Sequence, residues 1–182
     1  MVTDDRSDMT RWIRSALDRH ERPLVRYATR ITGDVEQARD VVQETFLRLC
    51  RADRATLDGH LAPWLYTVCR NRALDVQRHN GRMRPLPDAS VEATPDTTTA
   101  RSPDQARAPR EPDEISGLLR ALDALPKRQQ EVIRLKFQAG LSYRDIGDVV
   151  GSSAGNVGVL IHTGLKALRA RLQPAEPRPT SR

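Results

Sequence analysis

Between Gly81 and Glu114 the chain reads as text that cannot pack into a folded layer, and this divides everything around it. Pro85, Pro87, Pro95, Pro103, Pro109 and Pro112 punctuate the stretch, and Asp, Thr, Arg and Ala fill it with few apolar residues between. Such a segment buries too little surface to offset the entropy of ordering it. Residues 81–114 are therefore expected to be a flexible, disordered linker. Pro174, Pro177 and Pro179 forbid a helix in the tail, so 174–182 is expected to be disordered as well. Two blocks remain, 10–80 and 115–173, each the size of a small domain.

Both blocks carry helical periodicity and neither shows the alternation of a half-buried strand. Aromatic residues make up only 4% of the chain, which also disfavours a β-sandwich or barrel. The fold class expected is all-α: two small helical domains joined by a flexible linker. In the first block Trp12, Ile13, Ala16 and Leu17 recur at helical spacing, and Leu24, Val25, Ala28 and Ile31 do so again. Pro23 stands where a first helical residue is expected. Gly33 then stops that segment and Asp34 is placed to cap the next, whose stripe is Val35, Ala38, Val41, Val42, Thr45, Phe46 and Leu49. Pro63 opens a further helix carrying Leu65, Val68, Cys69, Arg72 and Val76.

The second block is more legible. Ile115, Leu118, Leu119, Leu122 and Leu125 mark a helix stopped by Pro126; Val132, Ile133, Leu135 and Phe137 mark another, stopped by Gly140. Ser142, with Asp145 three residues on, forms a capping-box pattern ahead of Ile146, Val149 and Val150. Gly151 turns the chain, and Ser152 or Ser153 caps a longer helix bearing Val157, Leu160, Ile161, Leu165, Leu168 and Leu172. A short helix, a glycine turn and a longer helix make a helix-turn-helix, whose second helix enters the major groove. Its exposed positions are expected to be Ser152, Ser153, Asn156, Val159 and Thr163, with Lys166, Arg169, Arg171 and the preceding Arg144 against phosphates.

Charge agrees with a polyanion partner. The chain is net +6, and Ile115 to Leu172 alone holds nine basic and four acidic residues. Cations gathered in this way favour salt-dependent binding to a polyanion. A second basic patch gathers at Arg70, Arg72, Arg78, Arg82 and Arg84. Trp64 and Tyr66 beside it suggest a platform on which single-stranded bases stack; the blander reading is core and surface. Asp40, Gln43 and Glu44, taken alone, are the solvated face of an amphipathic helix. The histidines show no ligand spacing, two cysteines make no metal set, and no metal or cofactor is expected. Cys50 and Cys69 fall on apolar helix faces and are expected to be buried thiols. No apolar run nears the ~20 residues of a membrane span, and Met1 to Thr10 carries Asp4, Asp5 and Asp8 rather than a signal-peptide core. The expectation is a cytoplasmic protein without direct membrane insertion.

Three runs in order, Asp34 to Arg51, Pro63 to His79 and Leu125 to Leu172, resemble the extracytoplasmic-function (ECF) class of bacterial RNA polymerase sigma factors of the sigma-70 family. The resemblance implies a region 2-like domain at 10–80, a region 4-like helix-turn-helix at 115–173, and core RNA polymerase (β′ and β subunits), promoter DNA and an anti-sigma factor as partners. It implies that Asp40, Val41, Gln43, Glu44 and Phe46 dock on the β′ coiled coil. It implies that the loop from Arg51 to His60, with Arg54, captures a flipped minus-ten base, and that Trp64, Arg70, Asn71, Asp75 and Arg78 meet the opening duplex. The second domain then binds the minus-thirty-five element. Family members often carry Lys, Ser and Arg where this chain has Gly158, Val159 and Leu160, and Arg in place of Thr163. With Gly155 and Gly158 inside the helix, either the helix starts later or close backbone approach matters, and shape readout is expected over base readout.

Two rivals stand beside this. A stand-alone helix-turn-helix regulator would bind duplex DNA without polymerase. A helical adaptor would leave the basic second block unexplained. An enzyme is not expected: Gly151-Ser152-Ser153-Ala154-Gly155 satisfies G-x-S-x-G, but it lacks the preceding strand, and no acid stands between it and the downstream His162 as such a nucleophile needs.

Overall fold

The computed structural model describes residues 3–83 and 113–172. They form α1 (Thr3–Thr32), α2 (Val35–Leu49), α3 (Arg54–Leu57), α4 (Leu61–Met83), α5 (Asp113–Asp123), α6 (Lys127–Phe137), α7 (Tyr143–Val150) and α8 (Ala154–Leu172). No strand occurs among the described residues. The linker expected at 81–114 lies outside them except at its ends, where α4 runs on to Met83 and α5 starts at Asp113. The tail at 174–182 lies outside them entirely.

α1, α2 and α4 pack on one another to make the first domain. The break expected at Pro23 is absent: α1 runs straight through it. Proline inside a helix loses a backbone hydrogen bond and costs about 3 kcal/mol. Residues on both sides of it offset that cost, because Ala16, Leu24, Tyr27 and Ala28 are all buried in the same core. Fully burying one Leu-sized side chain stabilises by roughly 1.5–3 kcal/mol. Gly33 takes φ +79 to end α1, and the Asp34 carboxylate accepts the Gln37 N–H at 2.8 Å to begin α2. α2 buries Ala38, Val41, Val42, Thr45, Phe46 and Leu49. The buried Thr45 hydroxyl donates to the Val41 carbonyl, so no polar atom is stranded there. α4 answers with Leu65, Tyr66, Cys69 and Ala73. The loop expected from Arg51 to His60 contains the single turn α3, capped by Asp53 and pinned by buried Leu57.

In the second domain a polar lock joins α5 to α6. The Gln130 amide donates to the carbonyls of Asp123 and Leu125, satisfying the end of α5 across Pro126. Its oxygen accepts from Arg134, which also pairs with Asp123. Ser142 and Asp145 form the full reciprocal capping box at the start of α7. Gly151 ends α7 in the left-handed conformation, φ +66. Ser153, rather than Ser152, accepts the Asn156 N–H and caps α8. α8 is helical from Ala154, so a later start does not explain its glycines. Close approach does at Gly164, where an added Cβ would lie 2.7 Å from Ile133 Cδ1, and in part at Gly158, which faces the Tyr143 ring. Gly155 faces open space.

The two domains touch. α7 packs on α4, and one continuous cluster of buried residues runs from Leu24, Leu49 and Leu65 to Leu135, Ile146, Val149 and Val157.

The turn of the helix-turn-helix depends on Gly147, where a Cβ would stand 2.6 Å from the Ser152 backbone oxygen. Gly147→Ala is expected to cost about 1–3 kcal/mol in urea unfolding, because the clash is with backbone. Gly155→Ala is expected to be neutral or to stabilise by up to about 1 kcal/mol. Equal effects of the two would contradict this placement of the turn.

Candidate nucleic-acid and polymerase interfaces

α4 presents three polar faces around its buried stripe. Trp64, Asn71, Asp75 and Arg78 recur every three, four or seven residues and so share one side of the helix. Asn71, Asp75 and Arg78 are exposed, and Arg78 pairs with Asp75 at 3.0 Å. Trp64 is half-buried, its body packed on the core. Arg72 points elsewhere, pairing with Glu44 of α2. Arg70 points elsewhere again, toward α6. Tyr66, expected in the aromatic platform, is buried and meets Tyr27 edge-on with centroids 5.2 Å apart. It belongs to the core because its position follows Leu65 on the inward side, and no base can stack on it.

The loop before α4 keeps its cations outside. Arg51, Arg54 and His60 are exposed, and the Arg54 guanidinium lies 5.7 Å from the centre of the Trp12 ring. Such contacts hold a cation in place without neutralising it.

On α2, Asp40 and Gln43 are exposed while Glu44 is half-buried. Burial works against the Glu44 charge, but hydrogen bonds and charge from Arg48 and Arg72 outweigh it and hold its pKa below the ordinary value. Val41 and Phe46, expected in the same docking set, face inward at 1% and 6% exposure. They shape the helix from beneath and offer no surface to a partner. Val35 and Leu47 are the exposed apolar residues of this helix, and sequence reasoning left them in the stripe or unremarked.

The helix-turn-helix shows the expected surface. Asn156, Val159, Thr163 and Lys166 recur every three or four residues along the solvent side of α8, and Val159 is 59% exposed, whereas Ser152, expected to be exposed, lies in the turn before α8 and is half-buried. Asn156 donates to the Ser152 hydroxyl, and Thr163 bonds back to Val159 and accepts from Gln129 of α6. Ser153, Arg144 and Arg169 are exposed. Arg171 is exposed too, but its guanidinium reaches the Ala121 carbonyl of α5 at 3.3 Å. It therefore flanks the domain rather than the recognition face.

Where the domains meet, Glu131 of α6 is shared. It accepts from the Tyr27 hydroxyl at 2.7 Å and from Arg70 Nε at 2.8 Å. The Arg70 and Glu131 side chains are only 18% and 19% exposed. Burial, then the neighbouring Glu131 charge, push the Tyr27 phenol well above its ordinary pKa. For Arg70, burial opposes the charge, but Glu131 prevails and raises its pKa. Glu131 carried no distinguishing signal in the sequence, since its partners lie 61 and 104 residues away.

Comparison with known proteins bears on these surfaces. Residues 16–83 match the family described as Sigma-70 region 2, and residues 116–168 match Sigma-70, region 4. The ECF RNA polymerase sigma factor SigL of Mycobacterium tuberculosis is 34% identical over 88% of this chain and 89% of its own length. The chain belongs to the ECF sigma factors. The RNA polymerase sigma factor CarQ of Myxococcus xanthus is 30% identical over 92% of this sigma factor and 97% of CarQ. SigE of Mycolicibacterium smegmatis is 32% identical over 92% of it, and the match spans 64% of SigE. The Bartonella quintana sigma factor RpoE, solved in complex with the anti-sigma factor NepR, shares the fold at TM-score 0.57 and 23% identity, covering 90% of this chain and 98% of that one.

Among the described residues no group of His, Cys, Asp or Glu could hold a metal ion, and no helix is long and apolar enough to cross a membrane. The two thiols differ. Cys69 is buried beside Thr45, and burial pushes its pKa up to about 12. Cys50, expected to be buried as well, is exposed, because it is the residue at which α2 ends and the chain turns outward. Native protein at pH 8 is expected to take up one iodoacetamide, at Cys50, and two after denaturation. Rapid labelling of Cys69 in the native state would contradict its burial.

Proposed function

We infer that this ECF sigma factor binds core RNA polymerase, directs it to promoter DNA and assists strand opening. The observation that carries this is the order of the two matched regions in one chain, each presenting an exposed polar surface. Asp40, Gln43 and the outer edge of Glu44 form the proposed docking surface for the β′ subunit, supported from beneath by Val41 and Phe46. Glu44 is already held by Arg48 and Arg72, so its role is to keep α2 and α4 in register as much as to touch a partner. Region 4 is proposed to engage the β subunit and the minus-thirty-five duplex together.

The minus-ten side is proposed to work in two parts. Arg51, Arg54 and His60 surround the loop that would receive an extruded base. Extruding a base costs a few kcal/mol, which a pocket and nearby cations offset in part. The Trp64, Asn71, Asp75 and Arg78 face of α4 would then hold the opened strand, with the exposed part of the Trp64 ring in apolar contact with a base. On the minus-thirty-five side, Ser152, Ser153, Val159 and Thr163 are short or apolar and offer no bidentate pairing, and Asn156, a residue type that can pair with adenine, already donates its amide to the Ser152 hydroxyl. This favours shape readout, with Arg144, Lys166 and Arg169 on phosphates. The site of action is the cytoplasm, where polymerase works, and an anti-sigma factor is the proposed regulatory partner.

Reconstitution with sigma-free core polymerase tests the reading. The chain is expected to co-elute with core and to support initiation at defined start sites on genomic fragments. A chain that ignores core and shifts duplex DNA alone would establish the stand-alone regulator instead. Asp40→Ala with Gln43→Ala is expected to weaken core binding at least ten-fold with helicity unchanged by circular dichroism; undiminished co-elution would remove those residues from the interface. Lys166→Ala with Arg169→Ala is expected to lower the slope of log affinity against log salt by about two, since each phosphate contact contributes about 0.9.

A further inference from the structure

Much of the positive charge on α4 is already neutralised. Arg70, Arg72 and Arg78 are paired with Glu131, Glu44 and Asp75 in turn. A row of unpaired charge lies instead on α1. Arg19, Arg22, Arg26 and Arg30 recur every three or four residues and so share one side of that helix. All four are exposed. Among the described residues none of them forms an ion pair. Asp18 stands four residues before Arg22, yet no ion pair joins them. Glu21 is the one acid between Arg19 and Arg30, and at two residues from Arg19 and one from Arg22 it does not share their face. Arg30 donates to the Arg26 carbonyl at 2.9 Å, which lays its side chain back along the row.

One exposed arginine is an ordinary solvated side chain, but a row is different. Like charges three and four residues apart oppose the helix, and an anionic polymer lying along them removes that cost. The spacing fits such a polymer. From Arg19 to Arg30 the helix rises about 17 Å at ~1.5 Å per residue, the length of about five phosphates of one DNA strand at 3.4 Å each. Every member is arginine, whose planar fork takes two phosphate oxygens at once. The row also begins beside the proposed minus-ten loop. Trp12, seven residues before Arg19, lies on the same side of α1, and the Arg54 guanidinium of the loop rests 5.7 Å from the centre of its ring. A strand leaving the loop at Arg54 passes Trp12 and meets the row next.

We propose that Arg19, Arg22, Arg26 and Arg30 form a further DNA-binding surface, which holds the phosphate backbone of promoter DNA adjoining the minus-ten element. This rests on the sigma-factor reading and extends its DNA contacts from the loop and α4 onto α1. Phosphate contacts carry no sequence information, so the surface adds affinity and fixes the path of the DNA without changing which bases are chosen.

The test uses holoenzyme and a promoter fragment whose start site has been mapped by the initiation assay. Arg19→Gln, Arg22→Gln and Arg26→Gln are combined, since Gln and Arg have similar helix propensities. The slope of log affinity against log salt is expected to fall by about two to three, at about 0.9 per contact, and affinity at fixed salt at least ten-fold. Co-elution with core and helicity are expected to be unchanged. The corresponding triple Lys variant keeps the charge and is expected to restore the slope. On a fragment trimmed to the minus-ten element itself, wild type and the Gln variant are expected to bind alike, and trimming one flank at a time identifies which flank the row holds. An unchanged slope in the folded Gln variant, weaker core binding with the slope intact, or an undiminished difference on the trimmed fragment would each overturn the proposal. Should the triple variant lose helicity, Arg19→Gln and Arg26→Gln decide singly, each expected to lower the slope by about one. If the wild-type chain fails to bind core, the sigma reading falls, and the same slopes measured with the chain alone on plain duplex still decide whether α1 holds phosphates.

Discussion

Small helical domains have too little interior. A block of about 60 residues buries only about 60% of the surface its unfolded chain exposes, and each helix here offers a single apolar stripe to its neighbours. The first domain satisfies this with Leu24, Leu49, Leu65 and Cys69, all fully buried among α1, α2 and α4. The second has a shorter set of helices and completes its core partly against the first, which is why the buried cluster crosses from one to the other. The need to cover apolar surface brings the domains together, and the polar contacts at Glu131 then specify how.

The charges around α4 follow from that packing. Glu44 on one side and Glu131 on the other each neutralise one arginine, Arg72 and Arg70. The remaining face, from Trp64 to Arg78, is left to solvent with only the Asp75–Arg78 pair upon it. Exposed pairs of that kind contribute little to stability, about 0–1 kcal/mol, and so would oppose little the nucleic-acid contact proposed for this face. The partly buried pair at Arg70 is a different object, because separating it strands a charge that the fold has already desolvated.

Much of the candidate site is legible in the residue pattern. Exposed positions on α8 follow from periodicity, since Val157, Ile161 and Leu168 define the buried side and the opposite residues must face outward. The docking set proposed on α2 is legible only in part. Asp40 and Gln43 lie outside as expected, but Val41 and Phe46 share the segment and belong to the stripe. Tyr66 and Cys50 show the same limit from opposite directions. One lies a single residue from Leu65 and turns inward; the other ends a buried stripe and turns outward.

Local chemistry determined the caps, the turns and the helix-turn-helix: Asp34, Ser142, Gly151 and Ser153 act within four residues of their partners, so their signals lie in adjacent text. The proline-rich stretch determined that there would be two domains. The tertiary structure alone decided that α1 continues through Pro23, because only burial on both sides of it outweighs the lost hydrogen bond. It alone decided that Glu131 meets Tyr27 and Arg70, since contacts across 104 and 61 residues are set by how helices pack and by no pattern within either helix.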